Sequence, residues 1–206
     1  MRRGSYWGAG MVTPVNTAII LINIAVYIWL LSGGNPGDAQ YMYHHGADFW
    51  PDVVYRGQYY RLLTCAFVHF SFSHILNNML VLAFIGDNME RALGSVRYAI
   101  FYLLAAIGAS AVSDAWYMYR GENTISGGAS GAIFGIVGGM IVILLRNRGR
   151  LEDLSLKQVL LFAAFSIYYG VSSVGTDNAA HIGGAAVGAL LALILYRKNR
   201  RRRPGR

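Results

Sequence analysis

Ser126-Gly127-Gly128-Ala129-Ser130-Gly131-Ala132-Ile133-Phe134 decides how this chain is read. Ser130 has glycines close on both sides, and an apolar run continues from it to Leu145. A glycine-rich turn leading into a helix puts Ser130 in the first helical turn. Backbone N–H groups there lack intrahelical partners and favour negative charge in front of them. A nucleophilic serine at this place would have its oxyanion stabiliser beside it. The plainer reading is a flexible loop followed by a helix-capping serine. The rest of the chain decides between them.

Only 14% of the 206 residues are charged and 55% are hydrophobic, against about 25% charged in a typical soluble domain. The composition is that of an integral membrane protein. A single cysteine, Cys65, excludes an intramolecular disulfide and any cysteine metal cluster. The net charge of +8 is gathered at the ends and in short loops. That suits membrane orientation rather than nucleic-acid binding, with the run Arg200 to Arg203 as the one stretch that could meet RNA or lipid headgroups. Arg2 and Arg3 resemble the start of a signal peptide. The first apolar run, however, is long enough to span and has no clear small-residue cleavage site.

A span needs about 20 mostly apolar residues. Six stretches qualify, roughly 14–31, 73–89, 96–117, 129–145, 158–174 and 179–196. The expected fold is an all-α membrane protein, a compact bundle of six transmembrane helices forming one domain over 1–198, followed by a basic tail over 199–206. With six spans both termini share one side, and that side collects 15 of the 18 Lys and Arg residues. The other side holds Arg56, Arg61 and Arg120. This asymmetry predicts cytoplasmic termini. The connection from Ser32 to Phe72 would then lie outside. Its aromatics (Tyr41, Tyr43, Trp50, Tyr55, Tyr59 and Tyr60) predict that it rests partly in the membrane interface.

On this topology the second, fourth and sixth spans all enter from the outer side. They bring His74 and Asn78, Ser130, and His181 to one depth. Ionisable groups within spans default to a functional role. Gly131, Gly135 and Gly139 on the fourth span, and Gly184 and Gly188 on the sixth, recur at four-residue spacing. Such stripes let two helix backbones approach closely. Each begins within about a turn of a reactive residue, so close packing would bring Ser130 and His181 together. His74 and Asn78 are four apart and share one helix face.

These residues resemble the rhomboid family of intramembrane serine proteases, from about Arg61 to Gly188. Gly-x-Ser-Gly stands as Gly128-Ala129-Ser130-Gly131, and His-x-x-x-Asn as His74 to Asn78. The last-helix motif stands as His181, Gly184 and Gly188, and a Glu-x-x-x-Gly element as Glu90 and Gly94. The resemblance implies Ser130 as nucleophile and His181 as general base, with no acidic third member. His74, Asn78 and the Ser130 backbone N–H would form the oxyanion hole, with Ala129 beside them. Gly128, Gly131, Phe134, Gly184 and Gly188 would support the site. Two positions depart from the family pattern. Tyr60-Arg61 stands where Trp-Arg is frequent, and Phe134 where Tyr is frequent; Phe134 can still stack on His181.

The implied activity is hydrolysis of peptide bonds in transmembrane segments near the outer face, through an acyl-enzyme. Substrates would be single-span proteins with helix-destabilising residues near the cut, because a helical peptide bond is shielded until it unwinds. They would enter sideways from lipid, near Tyr168, Tyr169 and Gly170. No cofactor and no metal are implied, and the setting is a prokaryotic plasma (inner) membrane. Asp177 or Asn178 could orient His181 from the loop before it. Glu90 is expected to hold helix ends together. Three other classes compete. A catalytically silent relative would bind transmembrane clients. A small transporter would need polar groups at the bilayer middle. A metal site from His69, His74 and His181 would lack carboxylate or thiol ligands at matching depth.

Overall fold

The computed structural model describes residues 13–151, 154–172 and 176–197. Arg2, Arg3, the tail from 199 and the end of the fifth expected span at Val174 lie outside the described residues. Helix α1 runs Pro14–Gly33. Three short helices follow, α2 Ala39–His44, α3 Trp50–Arg56 and α4 Arg61–Thr64, the last continued by a 3₁₀ turn Cys65–Phe67. Helix α5 spans Phe72–Val81 and passes through a π-helical turn, Leu82–Gly86, into α6, Asp87–Leu93. Then come α7 Ser95–Arg120 and α8 Ser130–Arg146. A two-stranded ribbon, β1 Arg150–Leu151 with β2 Leu154–Ser155, leads to α9 Leu156–Ser172 and α10 Asn178–Leu195.

Over the described residues, helices lie on each of the six expected stretches, with Ala129 and Tyr196 just beyond helix ends. Among the described residues, α1, α7 and α10 are long and apolar enough to cross a membrane. The segments Arg61–Phe67 and Phe72–Leu93 meet those criteria together but are bent by 93°. Helix α8, with 17 residues, is shorter. At the usual rise it measures about 26 Å against a hydrocarbon core of about 30 Å. It can be short because it sits inside the bundle. Every residue from Gly131 to Met140 is buried, as are Ile143 and Leu144. The burial pattern of the outer ring is inverted, with Leu21, Trp29, Val96, Leu103, Leu190 and Ile194 exposed. Apolar side chains there face lipid, and the helices are apolar all round.

Helix α8 packs most closely against α10, and α7 covers both. The two glycine stripes interlock. A Cβ at Gly184 would overlap the carbonyl oxygen of Gly131, and one at Gly188 that of Gly135. A Cβ at Gly139 would stand 3.1 Å from Gly188 O. Lipid gives helices no hydrophobic reason to associate, so this backbone-to-backbone contact must supply dispersion energy that larger residues would block.

Polar networks fix the two ends. At the end far from Ser130, Glu90 is 2% exposed and accepts the first-turn N–H groups of α1, from Val15 (3.2 Å) and Asn16 (2.7 Å), and the Ser95 hydroxyl (2.6 Å). One carboxylate therefore caps α1 and joins it to α6 and α7, the helix-tying role expected for Glu90. The Asn16 amide also donates to Leu82 O at 2.9 Å. That carbonyl belongs to the first residue of the π turn, so α1 grips the α5–α6 helix where it widens. Gly94, at φ +83°, lets α6 stop and α7 start without a linker.

At the Ser130 end the long connection is a folded cap. Arg61, 5% exposed, donates to Tyr43 O (2.8 Å), Ala47 O (2.6 Å) and Gln58 Oε1 (2.7 Å). Its guanidinium lies 4.6 Å from the Tyr43 ring centre and 3.9 Å from Asp52 Oδ2. The planar fork spreads its donors over three acceptors while lying against the Tyr43 ring, a geometry that a lysine's compact ammonium does not reproduce. The cap reaches the bundle through Asp48, whose backbone pairs with Ser126 in both directions, at 2.7 and 3.0 Å.

Two expectations follow. Gly188→Val forces α8 and α10 apart and costs about 1–3 kcal/mol or more in a detergent unfolding titration, whereas Leu190→Val, at a position 61% exposed, changes little. The second concerns Asp48, 2% exposed, whose carboxyl burial pushes up to about 8, helped by the nearby Asp114 and Asp177. The folded protein therefore holds this proton more tightly than the unfolded chain. The associated stability is full below about pH 4 and is lost as pH rises through 8. The Tm difference between Asp48→Asn and wild type should move in the variant's favour from pH 5 to 8 and level off above.

Candidate active site

The loop before α8 is held from three sides. Ser126 is paired with Asp48, and the Gly128 N–H donates to Cys65 O at 2.8 Å. Gly127 lies against Val68 and Phe70. Gly128 adopts φ +127°, and a Cβ there would stand 2.6 Å from the His74 ring and 3.6 Å from Asn78 Nδ2. Only glycine combines that backbone angle with that proximity. Ala129 is the N-cap and carries no capping side chain, so Ser130 is the first helical residue rather than the cap. Its hydroxyl is free for another partner, and the first-turn N–H groups still face the site.

That partner is His181. Its Nε2 lies 2.9 Å from Ser130 Oγ. His181 sits in the first turn of α10 and is buried. Its ring stacks on Phe134, with centroids 4.2 Å apart and planes 14° from parallel. Phe134 is one turn after Ser130, so a single helix supplies both the hydroxyl and the surface that orients the imidazole. Nδ1 of His181 has no hydrogen-bond partner among the described residues. The Asp177 side chain does not reach the ring. It caps α10 by accepting from Ala180 N–H at 2.8 Å.

His74 and Asn78 project from the start of α5, whose N-cap Ser71 accepts the His74 N–H at 3.2 Å. Both side chains stand beside Gly128, and thus beside the turn that carries Ser130. His69 is the residue that the sequence did not assign. It is fully buried in the bend before α5, with its ring 5.0 Å from that of His74. Its Nε2 receives Asn78 Nδ2 at 2.9 Å and the Ala129 N–H at 3.3 Å. Two donors converge on that nitrogen, so it is the acceptor and the proton resides on Nδ1. His69 therefore aims the Asn78 amide while leaving its second N–H unused. It also accepts the Ala129 N–H, so that group is already engaged in this structure. The only sequence cue to His69 was a histidine five residues before His74, outside the expected span.

Among the described residues no three histidine, cysteine or carboxylate side chains converge as metal ligands. A cavity of about 250 Å³ opens between the α5–α6 helix and the start of α9, lined by Leu80, Phe84, Val159 and Phe162 among others. Tyr168 is 73% exposed. The surroundings of Tyr169 and Gly170 are not among those described.

The family model for the Rhomboid domain matches residues 56–198. Similar proteins include RHOMBOID-like protein 4 of Arabidopsis thaliana, 39% identical over 145 residues, covering 69% of this chain and 36% of that protein. Rhomboid protease AarA of Providencia stuartii is 31% identical over 198 residues, covering 85% of this chain and 70% of the relative. Rhomboid protease GluP of Bacillus subtilis (strain 168) is 30% identical over 176 residues, with 85% and 34% covered. The chain spans roughly a third to a half of the length of the plant relatives it matches. These relatives come from bacteria and from a plant, and with the apolar helices they make this an integral, multi-pass membrane protein. On the match across most of its length, the chain belongs to the rhomboid family.

Proposed function

We propose that this chain is an intramembrane serine endopeptidase that uses a Ser130–His181 dyad. The observation that carries the reading is the 2.9 Å approach of His181 Nε2 to Ser130 Oγ at a helix N-terminus. His181 takes the hydroxyl proton as Ser130 attacks a substrate carbonyl. The carbonyl oxygen becomes an oxyanion, which meets the Ser130 N–H, the free N–H of Asn78 and the His74 ring. His181 then protonates the leaving amine. A water molecule, activated by the same imidazole, hydrolyses the acyl-enzyme and regenerates Ser130.

The buried setting favours this chemistry, because charge that develops away from water is stabilised more strongly by fixed donors. Fifteen of the 18 basic residues fall on the side opposite Ser130, so the site faces the outer side and both termini face the cytoplasm. Substrates are transmembrane segments that unwind locally, and they enter sideways from lipid.

Ser130→Ala should abolish cleavage of a tagged single-span model protein and labelling by a fluorophosphonate, with Tm unchanged. Removing one oxyanion donor, in Asn78→Ala or His74→Ala, should lower kcat roughly 10²–10³-fold. Wild-type protein that neither cleaves nor labels would point instead to a silent relative that binds transmembrane clients. Cleavage by Ser130→Ala at the wild-type rate would remove the assignment altogether.

A further inference from the structure

Asp177 lies outside the dyad, yet it is bonded to the chain on either side of it. Its Oδ1 accepts the N–H of Ala180, the residue before His181, at 2.8 Å. Its backbone carbonyl accepts the His181 N–H at 3.2 Å. Its Oδ2 accepts the hydroxyls of Ser126 at 2.5 Å and Ser113 at 2.6 Å. Ser126 is four residues before Ser130, and Asp177 is four before His181. The Ser126–Asp177 and Ser130–His181 contacts both join positions 51 apart in sequence. They are successive rungs between the same two chain segments. The next contacts along α8 and α10 are the glycine pairs Gly131–Gly184 and Gly135–Gly188. Ser113 fixes the upper rung to α7, the helix that covers both.

We propose that Asp177 is a positioning residue that sets the distance between Ser130 and His181 by clamping the segments that precede both. This rests on the reading of Ser130 as nucleophile and His181 as base. The glycine contacts fix how closely α8 and α10 approach, but two smooth backbones can slide or rotate on each other. The dyad hydrogen bond needs both registers correct. A carboxylate that binds both segments removes that freedom, and hydrogen bonds to a charged acceptor are stronger than neutral ones. The geometry differs from that of a serine-protease acid. Asp177 acts through the backbone at the start of α10, and the ring itself is oriented by Phe134.

A helix cap alone would also place an aspartate here, so the test separates capping from clamping. Serine is an adequate N-cap but cannot reach Ser126 or Ser113. In purified full-length protein in detergent, Asp177→Ser and Ser126→Ala should each slow fluorophosphonate labelling roughly ten- to a hundredfold. They should lower kcat on a tagged single-span protein without changing KM or Tm. Asp177→Asn, whose amide can accept from Ala180 and donate to Ser126, should recover most of that loss. Wild-type labelling by both Asp177→Ser and Ser126→Ala would overturn the inference, as would a rate loss that simply follows a fall in Tm. Should Asp177→Ser not fold, Ser126→Ala decides alone, because its cap is intact. Ser130→Ala runs alongside, and labelling of that protein would show that the assignment of Ser130 fails rather than the clamp.

Discussion

The backbone contact between α8 and α10 is the constraint on which the other features depend. Gly131 and Gly135 present carbonyl oxygens to Gly184 and Gly188 at a separation that leaves no room for a Cβ. In a bilayer the lipid tails are as apolar as the side chains, so burial by itself does not drive helices together. Close contact does, because it multiplies short-range dispersion interactions. It also brings the starts of the two helices near enough for Ser130 and His181 to share a hydrogen bond. Packing and chemistry are consequences of the same four glycines.

The ends of the bundle are held differently from its middle. Glu90 gathers N–H groups from α1 and a hydroxyl from α7, and Arg61 gathers carbonyls from the cap. Each is a buried charge, costly unless its hydrogen-bonding capacity is filled. Here both are surrounded by polar partners from segments distant in sequence. Directional bonds at the ends fix register and orientation, which apolar contact in the middle leaves loose. Tyr60, before Arg61, takes part in the surroundings of the guanidinium. The guanidinium lies 5.5 Å from the Tyr60 ring and 4.6 Å from that of Tyr43, so aromatic faces flank it.

Two buried histidines near Ser130 have opposite tasks, set by their surroundings. His181 presents Nε2 to a hydroxyl, and its Nδ1 has no acceptor among the described residues. His69 presents Nε2 to two N–H donors and so orders Asn78 and the turn before Ser130. The same side chain thus meets a serine hydroxyl in one place and orders the neighbouring turn in the other. Phe134 in place of Tyr removes a hydroxyl but keeps the stacking face, so the imidazole remains oriented.

The sequence by itself determined the membrane character, the six helical stretches, the glycine stripes and the residues that could react. These are legible because apolar run length and four-residue spacing are local properties of the chain. The pairing of Glu90 with Gly94 four residues on was legible for the same reason. What only the tertiary structure decided lies in contacts between side chains and backbone groups that separate elements bring together. Asp177 reads in sequence as a possible partner for the imidazole, but it binds Ser126 and Ser113 instead. His69 lies just outside an apolar run and becomes buried only when the chain bends by 93°. The N–H of Ala129 looks available until that histidine is placed beneath it. The bend, the π turn held by Asn16 and the cap held by Arg61 all depend on polar groups that meet across the fold. A hydrogen bond is short-ranged and directional, so sequence spacing reveals its possible donors and acceptors, while only the packed chain selects which of them meet.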